Sequence, residues 1–155
     1  METLSPLFSL SKEAQVLIMS AVPAVELRGA IPLGRVLGMS PWITYILAVL
    51  GSTLPAPFLV AFFQKILTRM KEKQMFSKLT DFLHNHVKKR SKSLKSATFL
   101  GLFLFVAIPL PMTGAYTGSM IASMLNLRLK NAVLAIFFGN MTAGIIMTAL
   151  SYAII

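Results

Sequence analysis

From Pro41 to Phe63 the chain runs for 23 residues, PWITYILAVLGSTLPAPFLVAFF, without a charge. As a helix rising about 1.5 Å per residue, that stretch is long enough to span the roughly 30 Å hydrocarbon core of a bilayer. A second charge-free run, Asn131 to Ile154, is equally long on this measure. Composition agrees, since 55% of the 155 residues are hydrophobic and only 13% are charged, which excludes an ordinary soluble domain. The chain reads as an all-α integral membrane protein. It has no cysteine, so disulfides and thiolate metal sites are out of reach and the redox compartment is not readable. No cleavable leader is expected, because Lys12 is the first base and the run from Ala14 to Met19 is shorter than a signal core. The mature protein is then expected to be the whole chain.

The net charge of +10 is concentrated. Ten of the fifteen basic residues lie between Lys65 and Lys95, opposed only by Glu72 and Asp81. A basic segment between apolar halves follows the positive-inside bias, which places residues 65–95 in the cytoplasm. The segment has no organised array of stacking aromatics, so no nucleic-acid partner is expected. Met75, Phe76, Leu79, Phe82, Leu83 and Val87 recur at helical spacing with lysines on the other face, which predicts an amphipathic helix on the anionic inner leaflet. A solvated basic linker would satisfy the topology equally well. His84 and His86, two apart on that helix, point to different faces and read as surface residues, with no metal site.

The first span is interrupted by GSTLPAP, where Pro55 and Pro57 remove backbone donors and Ser52 and Thr53 can satisfy freed carbonyls. The last span carries GNMT, Gly139 to Thr142, as its own polar interruption. Trp42 and Tyr45 read as interfacial anchors. Between Ala97 and Leu127 two apolar arms meet at PLPMTG. Each arm is about a dozen residues, or roughly 18 Å as helix, which crosses half a bilayer. Pro109 and Pro111 forbid a continuous helix, and Gly114 and Gly118 allow close backbone approach. A re-entrant hairpin fits, and it also keeps Arg128 and Lys130 in the cytoplasm. The N-terminal segment reads the same way, with Ala14 to Val22 as one arm, VELRGAIP as the tip and Leu33 to Met39 as the other. Its expected turn residues are Pro23, Gly29 and Pro32.

The halves look alike. Gly29-Ala30 aligns with Gly114-Ala115, and Gly51-Ser52 falls near Gly139-Asn140 after a three-residue adjustment. A hairpin followed by a span, given twice about one cytoplasmic linker, is the inverted-repeat plan of many secondary transporters. The predicted architecture is a single membrane domain with repeat 1 over about 10–64, a basic linker helix over about 65–96, and repeat 2 over about 97–155.

The motifs ELRGAIP (Glu26 to Pro32) and PLPMTGAYTGS (Pro109 to Ser119) together resemble the bacterial and archaeal family of small multidrug export proteins. That family looks like a distant relative of the DedA/VTT membrane proteins. The resemblance implies a multi-pass cell-membrane protein with paired re-entrant hairpins, implicated in moving lipid carriers or other phospholipids between leaflets. The second motif has Met112 where the family usually has glycine, which touches no charged position.

A charge at the centre of a membrane helix costs about 2.5–3.5 kcal/mol on insertion scales, so Glu26 and Arg28 should face protein or a water-filled cavity. Two readings stand beside each other. The pair ties the hairpin together as an internal ion pair, or Arg28, helped by Arg35, clamps an anionic head group while Glu26 exchanges a proton. Half-helix N-termini after Pro32 and Pro111 would aim N–H groups at the same anion. Thr113, Tyr116 and Thr117 could satisfy backbone or touch substrate, and Asn140 could bridge helices or line the pathway.

Motifs for phosphate loops, zinc proteases or serine hydrolases are missing, and Glu26 has no second acid or histidine in sequence reach, so no enzymatic activity and no cofactor are expected. The expected partners are membrane lipids, a lipid-phosphate or small-molecule substrate, and further copies of the chain in a homo-oligomer. Expected function is transport of an amphipathic substrate, foremost a phosphate-bearing lipid. Export of small cationic drugs through Glu26 and a non-transporting assembly factor are the alternatives.

Overall fold

The computed structural model describes residues 10–72, 93–110 and 113–154. Among these every regular element is a helix: α1 (Lys12–Ala21), α2 (Glu26–Val36), α3 (Pro41–Thr53), α4 (Ala56–Glu72), α5 (Ser93–Ala107), α6 (Ala115–Met124) and α7 (Leu129–Ile154). The predicted amphipathic linker helix, with its histidines, falls outside the described residues, as do Pro111 and Met112.

Two stretches are long and apolar enough to cross a membrane, Pro41–Met70 and Leu129–Ile154. Their outward surfaces are apolar too: Trp42 is 76% exposed and Phe58 75%. A soluble protein would not leave such a belt to water. The first stretch is α3 followed by α4, separated at Leu54-Pro55, so GSTLPAP does break the helix as its prolines require. Helix α4 carries on through Lys65 and Arg69 to Glu72, eight residues past the expected end of repeat 1 at 64. GNMT does not interrupt α7, which is one helix from Leu129 to Ile154. Glycine and asparagine lower helix propensity without removing a donor, and packing overrides them.

The tip of the first hairpin is also shifted. The turn is Val22 to Val25, and Glu26 to Pro32 is helical. Pro23 lies in the turn, whereas Gly29 and Pro32 lie inside α2 and Gly118 inside α6. Pro32 denies the Arg28 carbonyl its helical donor without stopping the helix, so no new half-helix begins after it. Pro109 and Gly114 do sit in the link between α5 and α6.

Short-range chemistry fixes the remaining ends. Ser40 caps α3, its Oγ accepting from the Ile43 N–H at 3.4 Å, with Pro41 in the first turn. Helix α2 ends with Gly38 at φ 71°, the Met39 amide donating to the Gly34 carbonyl and the Gly38 amide to Arg35. Helix α6 ends with Asn126 at φ 52° and the same pair of bonds, Leu127 to Ala122 and Asn126 to Ser123. These are two copies of one left-handed C-cap, and glycine and asparagine are the residues that tolerate it.

The copies keep a register of 88 positions, the separation of Ser52 and Asn140. It relates Gly38 to Asn126, Gly51 to Gly139, and the start of α3 at Pro41 to the start of α7 at Leu129. Gly51 lies against Ser20 and Leu17 of α1, and Gly139 lies against Val106 and Phe103 of α5. In this register Gly114 corresponds to Glu26, and Gly29 to Thr117. The sequence alignment of Gly29 with Gly114 uses an offset of 85, three positions short of this register.

Packing crosses between the halves. Val16, Leu27, Ala30, Ile31 and Ala48 of the first half enclose Ala143 of α7. Leu102, Val106, Ala122 and Ile136 of the second half enclose Ala56 and Val60 of α4. Both clusters are rich in alanine, which lets backbones approach where lipid offers no hydrophobic drive. Helices α3 and α7 run antiparallel, since Thr44 meets Tyr152 at 3.0 Å while Ser52 meets Asn140 at 3.2 Å.

Candidate functional site

The two charged residues of ELRGAIP pair with each other and also reach across to the other hairpin. Glu26 opens α2 at φ 48°, a left-handed conformation that costs a non-glycine residue roughly 1–2 kcal/mol. That backbone sends its side chain to the N-terminus of α6, where the carboxylate lies against Gly114 and Oε1 accepts the Tyr116 N–H at 3.3 Å. Gly114 is the N-cap and has no side chain to cap with. The carboxylate supplied by Glu26 takes that place, favoured by the positive end of the helix dipole. A Cβ on Gly114 would fall on the carboxylate itself, so only glycine permits this approach.

Arg28, two positions further along α2, binds the other side of the same link. Its Nη1 donates to Glu26 Oε2 at 3.2 Å, and its Nη2 lies 2.8 Å from the Thr113 carbonyl, 2.7 Å from Thr113 Oγ1 and 3.3 Å from the Ile108 carbonyl. Thr113 Oγ1 is also 2.8 Å from the Ile108 carbonyl and 2.9 Å from that of Leu110. The guanidinium thus gathers carbonyls from both ends of the link, Ile108 after α5 and Thr113 before α6, as a planar fork is suited to do. Tyr116, which the register of 88 pairs with Arg28, returns the contact: its hydroxyl donates to the Ala21 carbonyl at the end of α1, 2.5 Å away. Each half therefore satisfies the C-terminal end of the other half's first arm.

Glu26 and Arg28 are 6% and 15% exposed, and what exposure they have opens into a cleft of about 710 Å³. Pro23, Ala24, Val25 and Gly29 line it from the first tip, Pro109, Gly114 and Thr117 from the second, and Met147 from α7. The cleft is an apolar chamber with one carboxylate and one guanidinium in its wall. Arg28 keeps a buried Nε–H with no hydrogen-bond partner among the described residues.

Thr113 and Tyr116 join the site through Arg28 and Glu26. Arg35 and Asn140 do not. Arg35 sits over the Tyr152 ring, 5.2 Å from its centroid, at the far end of α2. Asn140 donates to Ser52 Oγ at 3.2 Å and Thr53 Oγ1 at 3.0 Å, holding α7 against the last turn of α3 before its proline break. Tyr45 is likewise a helix-to-helix link, donating to the Met141 carbonyl at 3.2 Å. Met147 and Ala24 line the cleft and carry no sequence signal, because an apolar residue in an apolar helix looks alike whether it faces lipid, core or chamber.

Comparison with family profiles matches residues 26–146, a stretch that opens on Glu26 and includes the link between α5 and α6, to the family described as "Putative small multi-drug export protein". No curated protein and no solved structure matches the chain. Since the match covers most of the sequence, the chain belongs to this family of membrane export proteins, which supports a transporter in the general sense.

Proposed function

We propose that the protein moves an amphipathic, phosphate-bearing lipid between leaflets, binding its head group at the two tips, with Glu26 as a resident anion that the substrate displaces. One observation carries the reading. The Glu26 carboxylate occupies a ready anion site made of the α6 N-terminus and the Arg28 fork, at the wall of the cleft. A phosphate offers more acceptor oxygens and more charge to the same donors. When Glu26 takes up a proton it loses its hold on Arg28, the head group replaces it, and proton and anion are bound in one state. Return of the ionised carboxylate expels the head group. Export of a cation is less favoured, because Arg28 already stands 3.2 Å from the carboxylate that such a cargo would need.

The same reading takes the chain as one membrane domain of two inverted repeats whose hairpins re-enter the membrane. Support comes from the shared register, the antiparallel run of α3 and α7, and two positions that touch their own counterparts, Glu26 with Gly114 and Ser52 with Asn140. Only residues near a two-fold axis can do so, and two such contacts give that axis a direction. A site on the axis can open to either side by equivalent motions, which is the geometry alternating access needs. A multi-pass plasma-membrane location, assembly into a homo-oligomer and kinship with the DedA/VTT proteins belong to this reading.

The test is transport of a fluorescent long-chain alkyl phosphate in proteoliposomes. Wild type should move it, Arg28→Lys should slow it and Glu26→Gln should change its pH dependence. Retained transport of a cationic dye by Arg28→Ala, with no movement of the phosphate by wild type, would overturn the proposal.

A further inference from the structure

A second opening lies along the same hairpin. It has a volume of about 350 Å³ and is walled by Thr98, Gly101, Leu102 and Phe105 of α5 and by Ile121 and Leu125 of α6, with no charged side chain. Helix α5 packs chiefly on α7, and α6 chiefly on α4, so the two arms stand apart and leave the groove between them. Gly101 faces it: a Cβ there would meet nothing within 4 Å. The tip cleft begins one turn on, at Pro109 of the link and Thr117 of α6. Along α6, Thr117 and Ile121 are about 6 Å apart in rise, and Pro109 lies two residues beyond the end of α5, so the two openings follow one another along the hairpin.

The shape and chemistry of the groove point to an occupant. Thr98 to Phe105 rises about 10 Å as helix, and apart from Thr98 the wall is apolar or glycine, which suits an alkyl chain running on from the tip cleft. Thr98 to Ala107 rises about 14 Å as helix, close to half of the roughly 30 Å hydrocarbon core and the length scale of one leaflet's chains. We propose that the α5–α6 groove holds one alkyl chain of the amphiphile whose head lies in the tip cleft, so that chain length and bulk are read by α5 and α6. This rests on the transport reading for the head group, but the groove is judged separately.

The experiment is photolabelling of the full-length protein in nanodiscs with a hexadecyl phosphate carrying a mid-chain diazirine, beside a hexadecyltrimethylammonium probe with the same chain. Labelled peptides should contain residues 98–105 or 121–125, and Gly101→Trp should lower that labelling about ten-fold, equivalent to about 1.4 kcal/mol. Gly101→Leu, a smaller plug, should give an intermediate loss if the tryptophan variant does not fold. Labelling by the ammonium probe alone would keep the groove and overturn the phosphate head-group reading. No labelling of these segments by either probe would overturn the groove, as would labelling indifferent to both substitutions. Labelling that falls in simple proportion to added bulk phospholipid would also overturn it, since the surface would then be ordinary lipid contact.

Discussion

The carboxylate of Glu26 rests against the α-carbon of Gly114, the residue that corresponds to it 88 positions later in the second half. One position carries the charge and the other carries nothing, so that the charge has somewhere to go. Gly114→Ala should therefore act as a clash with Glu26 and cost about 1–3 kcal/mol. In a double-mutant cycle with Glu26→Ala, read by thermal unfolding in detergent, the two costs should be markedly less than additive. Additive costs would mean that the contact is not there.

Arg28→Ala leaves Glu26 without its cation and the Thr113 carbonyl without its donor. Removing one partner of a buried pair costs about 3–5 kcal/mol. Arg28→Lys keeps the charge without the fork and should fall between wild type and alanine. Denaturation midpoints of the three proteins give the order directly.

Tyr116→Phe removes one hydroxyl from the Ala21 carbonyl and leaves the Tyr116 amide on Glu26. The loss in stability should be about 0.5–1.5 kcal/mol. Affinity for a phosphate head group, measured by calorimetry, should stay within a few-fold of wild type.

Asn140→Ala withdraws the donor that ties α7 to Ser52 and Thr53. Two interhelical bonds are lost, each worth about 0.6 kcal/mol on average in membrane proteins, so the melting temperature should fall modestly. Because Asn140 lies away from the cleft, substrate affinity should be unchanged; a selective loss of affinity would return Asn140 to the pathway.

Ser40 and Arg128 are both exposed and stand 88 apart, just ahead of α3 and α7. Inverted repeats require them on opposite sides of the membrane. In a chain without native cysteine, Ser40→Cys should react with an impermeant thiol reagent from outside and Arg128→Cys should be protected. Labelling of both from one side would contradict the inverted arrangement.

The sequence by itself determined the helical class, the two stretches able to span a membrane and the break at Pro55, because these follow from local quantities: hydropathy over a span and a missing N–H. It also singled out Glu26 and Arg28. What it could not decide was the partner of each. Whether Arg28 answers Glu26 alone or also the carbonyls of Ile108 and Thr113, some 80 residues away, depends on how two hairpins approach in space, and no periodicity encodes that distance. The same holds for Arg35 and Asn140, polar residues in apolar helices, whose contacts with Tyr152 and with Ser52 only the packing decides. Even the tip of the first hairpin was a tertiary matter. Glycine and proline in ELRGAIP argue locally for a turn, yet contacts of Leu27, Ala30 and Ile31 with the core keep it helical and move the turn to Val22–Val25, which brings Glu26 to the end of α6.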